Sequence, residues 1–379
     1  YFMLWTFWKR FQGREHYSEI KDKVKNTHLF AYETSYDITR YKILFPVLQK
    51  EAAAIASHYP CMREIDPERI VHCCLYGLFL YLCLPKHLEN EWAARASTYW
   101  VCDGIIQGDR AWEISHALSK EIKWDLHPSL LNERLEGTYF NENKMAYPRI
   151  AISTSNTPKT LQNIKAINTN DVSSYFLAPD EISDKSDNVL LVLADGLFDL
   201  STNLRVLQLS HCAFSFASPP FIGCQNLRFL GLDHCKDNET TEQIDPRKWQ
   251  FLHSLWVLNL LYTGWYQVFS KEVAHLIINL GELNIVGPEC WQYIGELQGQ
   301  LPDVHRLQIV KSMDQPKATT YVGNHLFEQT KLEILDLSGN TDMTSLPTNL
   351  SKARRLQVLV LDGCHGLENI VSDGLPPSL

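Results

Sequence analysis

At 379 residues, with 45% hydrophobic and 11% aromatic side chains, the chain has material for two or three globular domains. A formal net charge of −9 and a pI near 5.9, with no long basic stripe, speak against a nucleic-acid-binding body. No stretch approaches the roughly 18 apolar residues that a membrane span needs. The nearest, 71–85, is too short and contains His72. The ten cysteines include no Cys-x-x-Cys pair, so they read as reduced thiols in a cytoplasmic protein.

The N-terminal segment 1–8 is apolar, but it lacks a charged leader and a small-residue cleavage site and is not a signal peptide. Lys21, Lys23 and Lys25, interrupted by Asp22, read as a solvated face. The periodicity then becomes helical. Leu44, Val47, Leu48, Ala52, Ile55 and Ala56 mark one amphipathic helix, with Pro46 in its first turn. Asp66-Pro67 reads as an N-cap followed by a first-turn proline. The run from Ile70 to Leu80 is apolar nearly all round, which predicts an interior helix. The aromatic segment 99–106 (YWVCDGII) is suited to anchoring helices against one another. A further helix is expected after Asp109, with Ala111, Ile114, Leu118 and Ile122 on its inner stripe. Residues 132–150 and 178–190 are polar and read as loops, and 147–153 reads as a short strand at the junction.

From Leu204 onward one pattern, Leu-x-x-Leu-x-Leu, recurs. Its copies start at Leu204, Leu227, Leu255, Leu280, Val304, Leu332 and Leu356, in steps of 23, 28, 25, 24, 28 and 24 residues. That is the leucine-rich-repeat period of about 20 to 29 residues. Val172, with Tyr175 and Leu177, reads as a degenerate extra copy at the start. Side chains alternate across a strand, so the last two aliphatic residues of each copy face the solenoid core. Cys212, Cys235, Asn340 and Cys364, with Thr263, Pro288 and Ser312 in looser copies, fall where the chain turns off the strand. There a side chain can satisfy a buried backbone group. The fold class is therefore α/β, an all-α N-terminal module followed by a leucine-rich-repeat horseshoe.

The residues between the buried leucines should line the concave face. Gln208, Ser210, Phe229, Asp233, Val257, Asn259, Glu282, Asn284, Arg306, Gln308, Ile334, Asp336, Val358 and Val360 are the candidate partner-binding positions. Trp265, Tyr266, Trp291 and Tyr293 lie on connecting segments, as partner anchors or as packing.

The segment CCLYGLFL at 73–80 resembles the CFLYCSLFP segment of plant NB-ARC leucine-rich-repeat disease-resistance proteins. Trp100, Gly104 and Ile106 match, in spacing, the W-x-A-E-G-F-I element that follows it in that family. Residues 219–230 (PPFIGCQNLRFL) resemble the cereal-type members most. The resemblance implies a partly disordered tail of a preceding helical ARC subdomain at 1–55. It implies a winged-helix-like domain at 56–150 and a repeat domain of seven or eight repeats at 151–379. It implies the non-catalytic sensor portion of an intracellular immune receptor. Its partners would be a pathogen effector or a guarded host protein, with intramolecular NB-ARC contacts besides.

The sequence also departs from that family. It has no Gly-x-x-x-x-Gly-Lys-Ser/Thr loop, and Ala146 stands where the family's nucleotide-contacting histidine belongs. No cofactor is expected in this chain; ADP or ATP would need a nucleotide-binding domain upstream. Tyr1 at the start and repeat-like residues at 374–379 give both ends the look of a fragment. Two other readings stay open. One is a full-length nucleotide switch with slow ATPase activity from a missing P-loop; the other is a substrate adaptor of a ubiquitin ligase. An extracellular receptor fits less well, since 346–350 (LPTNL) lacks the Leu-x-Gly-x-Ile-Pro pattern.

No Gly-x-Ser-x-Gly and no Cys/His signature of a nucleophile occurs, so no catalytic residue is expected. His211-Cys212 and His234-Cys235 recur at 23 residues, but the cysteines belong to the repeat, and no metal is expected there. His72, Cys73 and Cys74, with His58 and Cys61, read as core.

Overall fold

The computed structural model describes residues 49–50, 52–57, 60–62, 65–83, 88, 92, 94–121, 149–154, 172–179, 190–238, 245–270, 272–287, 303–310, 331–341, 343–347, 349–368 and 375–379. The expectations for Lys21–Lys25, Leu44–Leu48, Ile122, Ala146, Pro288, Trp291, Tyr293 and Ser312 lie outside these residues. The chain divides into two compact units, Tyr1–Phe140 with Ala151–Ser153, and Asn141–Ile150 with Thr154–Leu379.

The first unit is helical among its described residues, apart from 151–153. Residues 52–57 are helical, with Ala52, Ile55 and Ala56 buried. Helix α1 runs over Pro67–Cys83. Its start is set by Asp66, whose carboxylate accepts the Glu68 N–H at 3.0 Å and whose carbonyl accepts that of Arg69 at 2.9 Å. That satisfies N–H groups that a helix start leaves bare. Ile70, Val71, Cys73, Cys74, Tyr76 and Leu80 are all buried, as an interior helix requires. Helix α2, Ala96–Cys102, is buried at every residue. Tyr76 stacks on Tyr99 at 6.1 Å, tying α1 to α2. Helix α3, Ala111–Glu121, buries Ala111, Ile114 and Leu118. Its Ser115 hydroxyl donates to the Ser97 carbonyl at 2.6 Å.

Gly104 has a structural reason to be glycine. It sits at φ 83° just past α2. The N–H groups of Ile105 and Ile106 then turn back onto the Trp100 carbonyl at 2.9 and 3.2 Å. A left-handed residue after a helix closes its end in this way.

The second unit is built on eight strands of one sheet, in the order β2-β4-β6-β8-β9-β10-β11-β12. Strand β1 is Arg149–Thr154, and β2, Ser174–Pro179, is the degenerate first copy. Then β4 (Val206–Ser210), β6 (Phe229–Asp233), β8 (Val257–Leu261), β9 (Glu282–Val286), β10 (Arg306–Val310), β11 (Ile334–Asp336) and β12 (Val358–Val360) take one strand from each repeat. From β2 to β12 each strand pairs its neighbour in parallel. The register aligns the repeats position by position, with Leu207 on Leu230, Leu258, Leu283, Leu307, Leu335 and Leu359 in turn. Tyr175 and Leu177 pair with Leu207 and Leu209, so the degenerate copy keeps that register.

The inward residues are buried through Leu335 and Leu337. In the last repeat Leu359 and Leu361 are only half-buried. A second sheet, β3 (Leu191–Val192), β5 (Cys212–Phe214) and β7 (Lys236–Asp237), follows the strand exits of the early repeats.

The turn residues act as the sequence predicts. Asn340 donates to the carbonyls of Ile309 at 2.7 Å and Leu337 at 2.6 Å. The Cys364 thiol donates to the Leu337 carbonyl at 3.0 Å. The Thr263 hydroxyl donates to the Leu261 carbonyl and accepts the Cys235 N–H, both at 3.0 Å. Trp265 proves to be packing: it is fully buried, lies 5.3 Å from the Trp249 ring, and donates its indole N–H to Phe216 at 3.0 Å. Tyr266 is exposed.

Candidate functional site

The parallel register turns the positions between the leucines into columns. One runs Val206, Phe229, Val257, Glu282, Arg306, Ile334, Val358; the next runs Gln208, Gly231, Asn259, Asn284, Gln308, Asp336, Val360. Ser210 and Asp233 head a third, followed by Leu261, Val286 and Val310. The sequence reading treats these positions as one surface, but the structure divides them. Gln208, Ser210, Phe229, Asp233, Val257, Asn259, Glu282 and Asn284 are buried. Arg306, Gln308, Ile334, Asp336 and Val360 are half-buried, and Val358 is 44% exposed.

The buried columns are tied internally. The Asn284 amide donates to Asn259 Oδ1 at 2.5 Å and to Glu282 Oε1 at 2.9 Å. The Gln208 carboxamide lies over Gly231, where a β-carbon would collide with it. In the open part, the Gln308 amide donates to Asp336 Oδ2 at 2.9 Å, and the other Asp336 oxygen accepts the Ser338 N–H at 2.9 Å. The open patch thus offers one guanidinium, a pre-oriented amide–carboxylate pair, and three aliphatic side chains. This mixture suits a protein partner.

Three of the thiols are held inert. Burial pushes the Cys74 and Cys212 thiols well above their usual range, and Cys224 up to about 12. A thiol so shifted stays protonated and is a poor nucleophile.

Sequence reasoning missed an arrangement at the rim, where the strands end. His211 stacks on His234 at 4.7 Å, and His234 on Tyr262 at 4.6 Å. The Ser210 hydroxyl lies 2.9 Å from His211 Nδ1 and donates to Asp233 Oδ2 at 3.0 Å. Asp233 Oδ1 lies 2.7 Å from His234 Nδ1. Ligand atoms of His211, Asp233 and His234 fall within 4.8 Å of one another. The two imidazole planes, however, lie only 10° apart. Their in-plane lone pairs run side by side instead of converging on one point, and an ion needs convergence.

No protein-family model matches the chain, and no curated protein matches it. Among solved structures it is similar to an internalin from Listeria monocytogenes at 13% identity, over 56% of this chain and 63% of that one, with a TM-score of 0.30. A leucine-rich-repeat protein from Leptospira interrogans aligns at 17% identity over 51% of this chain and 55% of its own, TM-score 0.25. TLR13, in a complex with ssRNA13, aligns at 18% over 54% and 34%, TM-score 0.27. The chain spans 63% or less of the length of these three. At such TM-scores the likeness carries no argument of its own; the strand-per-repeat register does. The second unit is a leucine-rich-repeat domain.

Proposed function

We propose that the chain is the protein-binding sensor portion of an intracellular plant immune receptor, cytoplasmic and without catalysis. In this reading 56–150 is a winged-helix-like module of an NB-ARC region, and 151–379 is the recognition domain. Support comes from the order of its parts. The CCLYGLFL run forms α1, the Trp100–Gly104–Ile106 element forms α2 and its left-handed stop, and the repeats follow.

The observation that carries the binding assignment is the change along the first two concave columns from buried to half-buried or exposed, which begins at Arg306. A partner, whether pathogen effector or guarded host protein, engages Arg306, Gln308, Ile334, Asp336, Val358 and Val360. The buried positions Gln208, Ser210, Phe229, Asp233, Val257, Asn259, Glu282 and Asn284 are kept for contacts within the receptor. Any nucleotide switching belongs to a domain upstream of this chain.

The test is co-precipitation from infected leaf tissue with the wild-type chain and an Arg306→Glu/Asp336→Ala/Val358→Asp variant. Lys248→Glu, on the exposed outer side, serves as control. The triple variant should lose at least one partner that the wild type and the control retain, at an unchanged melting temperature. Retention of every partner sinks the assignment.

A further inference from the structure

The open end of the concave face carries two carboxylates set around one aliphatic residue. Past β11 the Leu337 N–H donates to the Val360 carbonyl at 2.9 Å, and the Gly339 N–H to that of Asp362 at 2.8 Å. The second bond is the one that Tyr262 makes to Val286 and Gly287 to Val310, so Asp362 takes their place in the third column. Alternation along the chain puts Asp362 on the side of Val358 and Val360. Neighbouring strands stand roughly 4.8 Å apart, and alternate residues of one strand about 6.6 Å apart. Val360 therefore sits in a corner, with Asp336 beside it on β11 and Asp362 beyond it along its own chain. Ile334 and Val358, paired in register, continue the aliphatic floor on the other side.

This corner is reachable and negative. Val358 is 44% exposed, Asp362 is exposed, and Ile334, Asp336 and Val360 are half-buried. Among the described residues neither carboxylate meets a cation; Arg306 leans the other way, to Glu282 at 4.0 Å. The two charges also act in one place. The Cys364 thiol is raised above its usual range first by its burial and then, against a lowering hydrogen bond from the Asn340 backbone, by Asp336 and Asp362 in turn. Paired negative charge over aliphatic side chains favours a cation on a hydrocarbon stem, whose methylenes cover the floor while its head meets the acids. The bonds Asp336 already makes choose among such cations. Its oxygens accept the Gln308 amide and the Ser338 N–H, whereas a guanidinium fork takes both oxygens of one carboxylate. A compact ammonium with three donors needs only one lone pair from each of two carboxylates.

We propose that the Val360 corner, between Asp336 and Asp362, binds the ammonium of a lysine on a partner protein, with an aliphatic neighbour of that lysine lying over Ile334 and Val358. The lysine site rests on the open concave face being the binding surface, and it names the chemistry that face takes.

The test titrates the full chain with N-acetyl-leucyl-lysyl-leucine amide and follows the methyl resonances of Ile334, Val358 and Val360 by NMR. These methyls should shift with a dissociation constant on the order of 1 mM, the range of one small contact. The same peptide with norleucine for lysine, a stem without the charge, should bind about tenfold more weakly. The arginine peptide should bind about threefold more weakly. Asp336→Asn/Asp362→Asn should weaken the lysine peptide about tenfold. Asp362→Asn alone, at an exposed side chain, should already weaken it about threefold. Asp109→Asn/Asp195→Asn, two exposed acids elsewhere, changes the net charge equally and should leave the titration as it was. A norleucine or arginine peptide that binds as well as the lysine one, an equal loss in the control pair, or methyls that do not move overturns the lysine site. Still methyls alongside a triple variant that loses its partner sink the lysine site and spare the binding face. Moving methyls alongside a triple variant that keeps every partner do the reverse.

Discussion

The first four full repeats and the last three share one strand register and differ in how deeply the outward positions laid upon it are buried. In the early repeats the first two concave columns are buried and amide-linked, the thiols of Cys212 and Cys235 serve turns, and the strand exits carry His211, His234 and Tyr262, then Gly287. In the late ones the columns are half-buried to exposed, Asn340 and the Cys364 thiol serve the turns, and Gly339 and Gly363 take the exits. A solenoid fixes its inward residues repeat by repeat and leaves the outward ones free to diverge. In those two columns the early outward positions are buried, and the late ones are half-buried or exposed.

Truncating an inward leucine sets the two halves apart most strongly. Leu258→Ala, at a fully buried site, should cost about 2–5 kcal/mol. Leu359→Ala, half-buried at the equivalent register position, should cost less than half as much; urea unfolding of both variants checks this. Next comes Asn340→Ala. It removes the side-chain donor to the Ile309 carbonyl, while the Leu337 carbonyl keeps the Cys364 thiol, and should cost roughly 1–3 kcal/mol by the same measurement.

Exchanging the exits sharpens the contrast further. Gly339→His puts a side chain at φ 76° and should lose about 1–2 kcal/mol. His234→Gly removes that strain but also a stacked ring, and should change thermal stability by less.

A pH effect follows from Cys224. Its folded value is raised from 9.0 to about 12. Below the unfolded value both states hold the proton. Between the two values only the unfolded state releases it, so stability falls as pH rises from about 9 toward 12. Melts at pH 8 and pH 10 should show that loss, and Cys224→Ala should show less of it. Smallest of all, Asp336→Ala on the open face should alter stability by no more than about 0.5 kcal/mol, read from the same melts.

The repeat strands were legible in the sequence because burial of alternate side chains fixes spacing, and spacing survives substitution. The Val172 copy could be read even with Tyr175 in a leucine's place, since an aromatic fills the same inward site. Asp66-Pro67 was legible for a similar reason, because an Asp followed by a first-turn proline has few uses.

The division of the concave face was not legible. Phe229 and Ile334 are equally apolar at one register position, yet one is buried and the other half-open. Burial of an outward residue is decided by what packs upon it, not by its own strand. Nor were β3 and β7 visible, as strands of two residues carry no period. The ring ladder escaped because histidine, unlike glycine, does not announce positive φ.

Hydroxyl-radical footprinting of the folded chain, read residue by residue by mass spectrometry, tests the divided face most directly. Phenylalanine is intrinsically the more reactive of the two side chains compared, so protection of Phe229 alongside oxidation of Val358 is the predicted result. Phe229 oxidised as fast as in the urea-unfolded chain, with Val358 protected, would contradict the division and the binding assignment built on it.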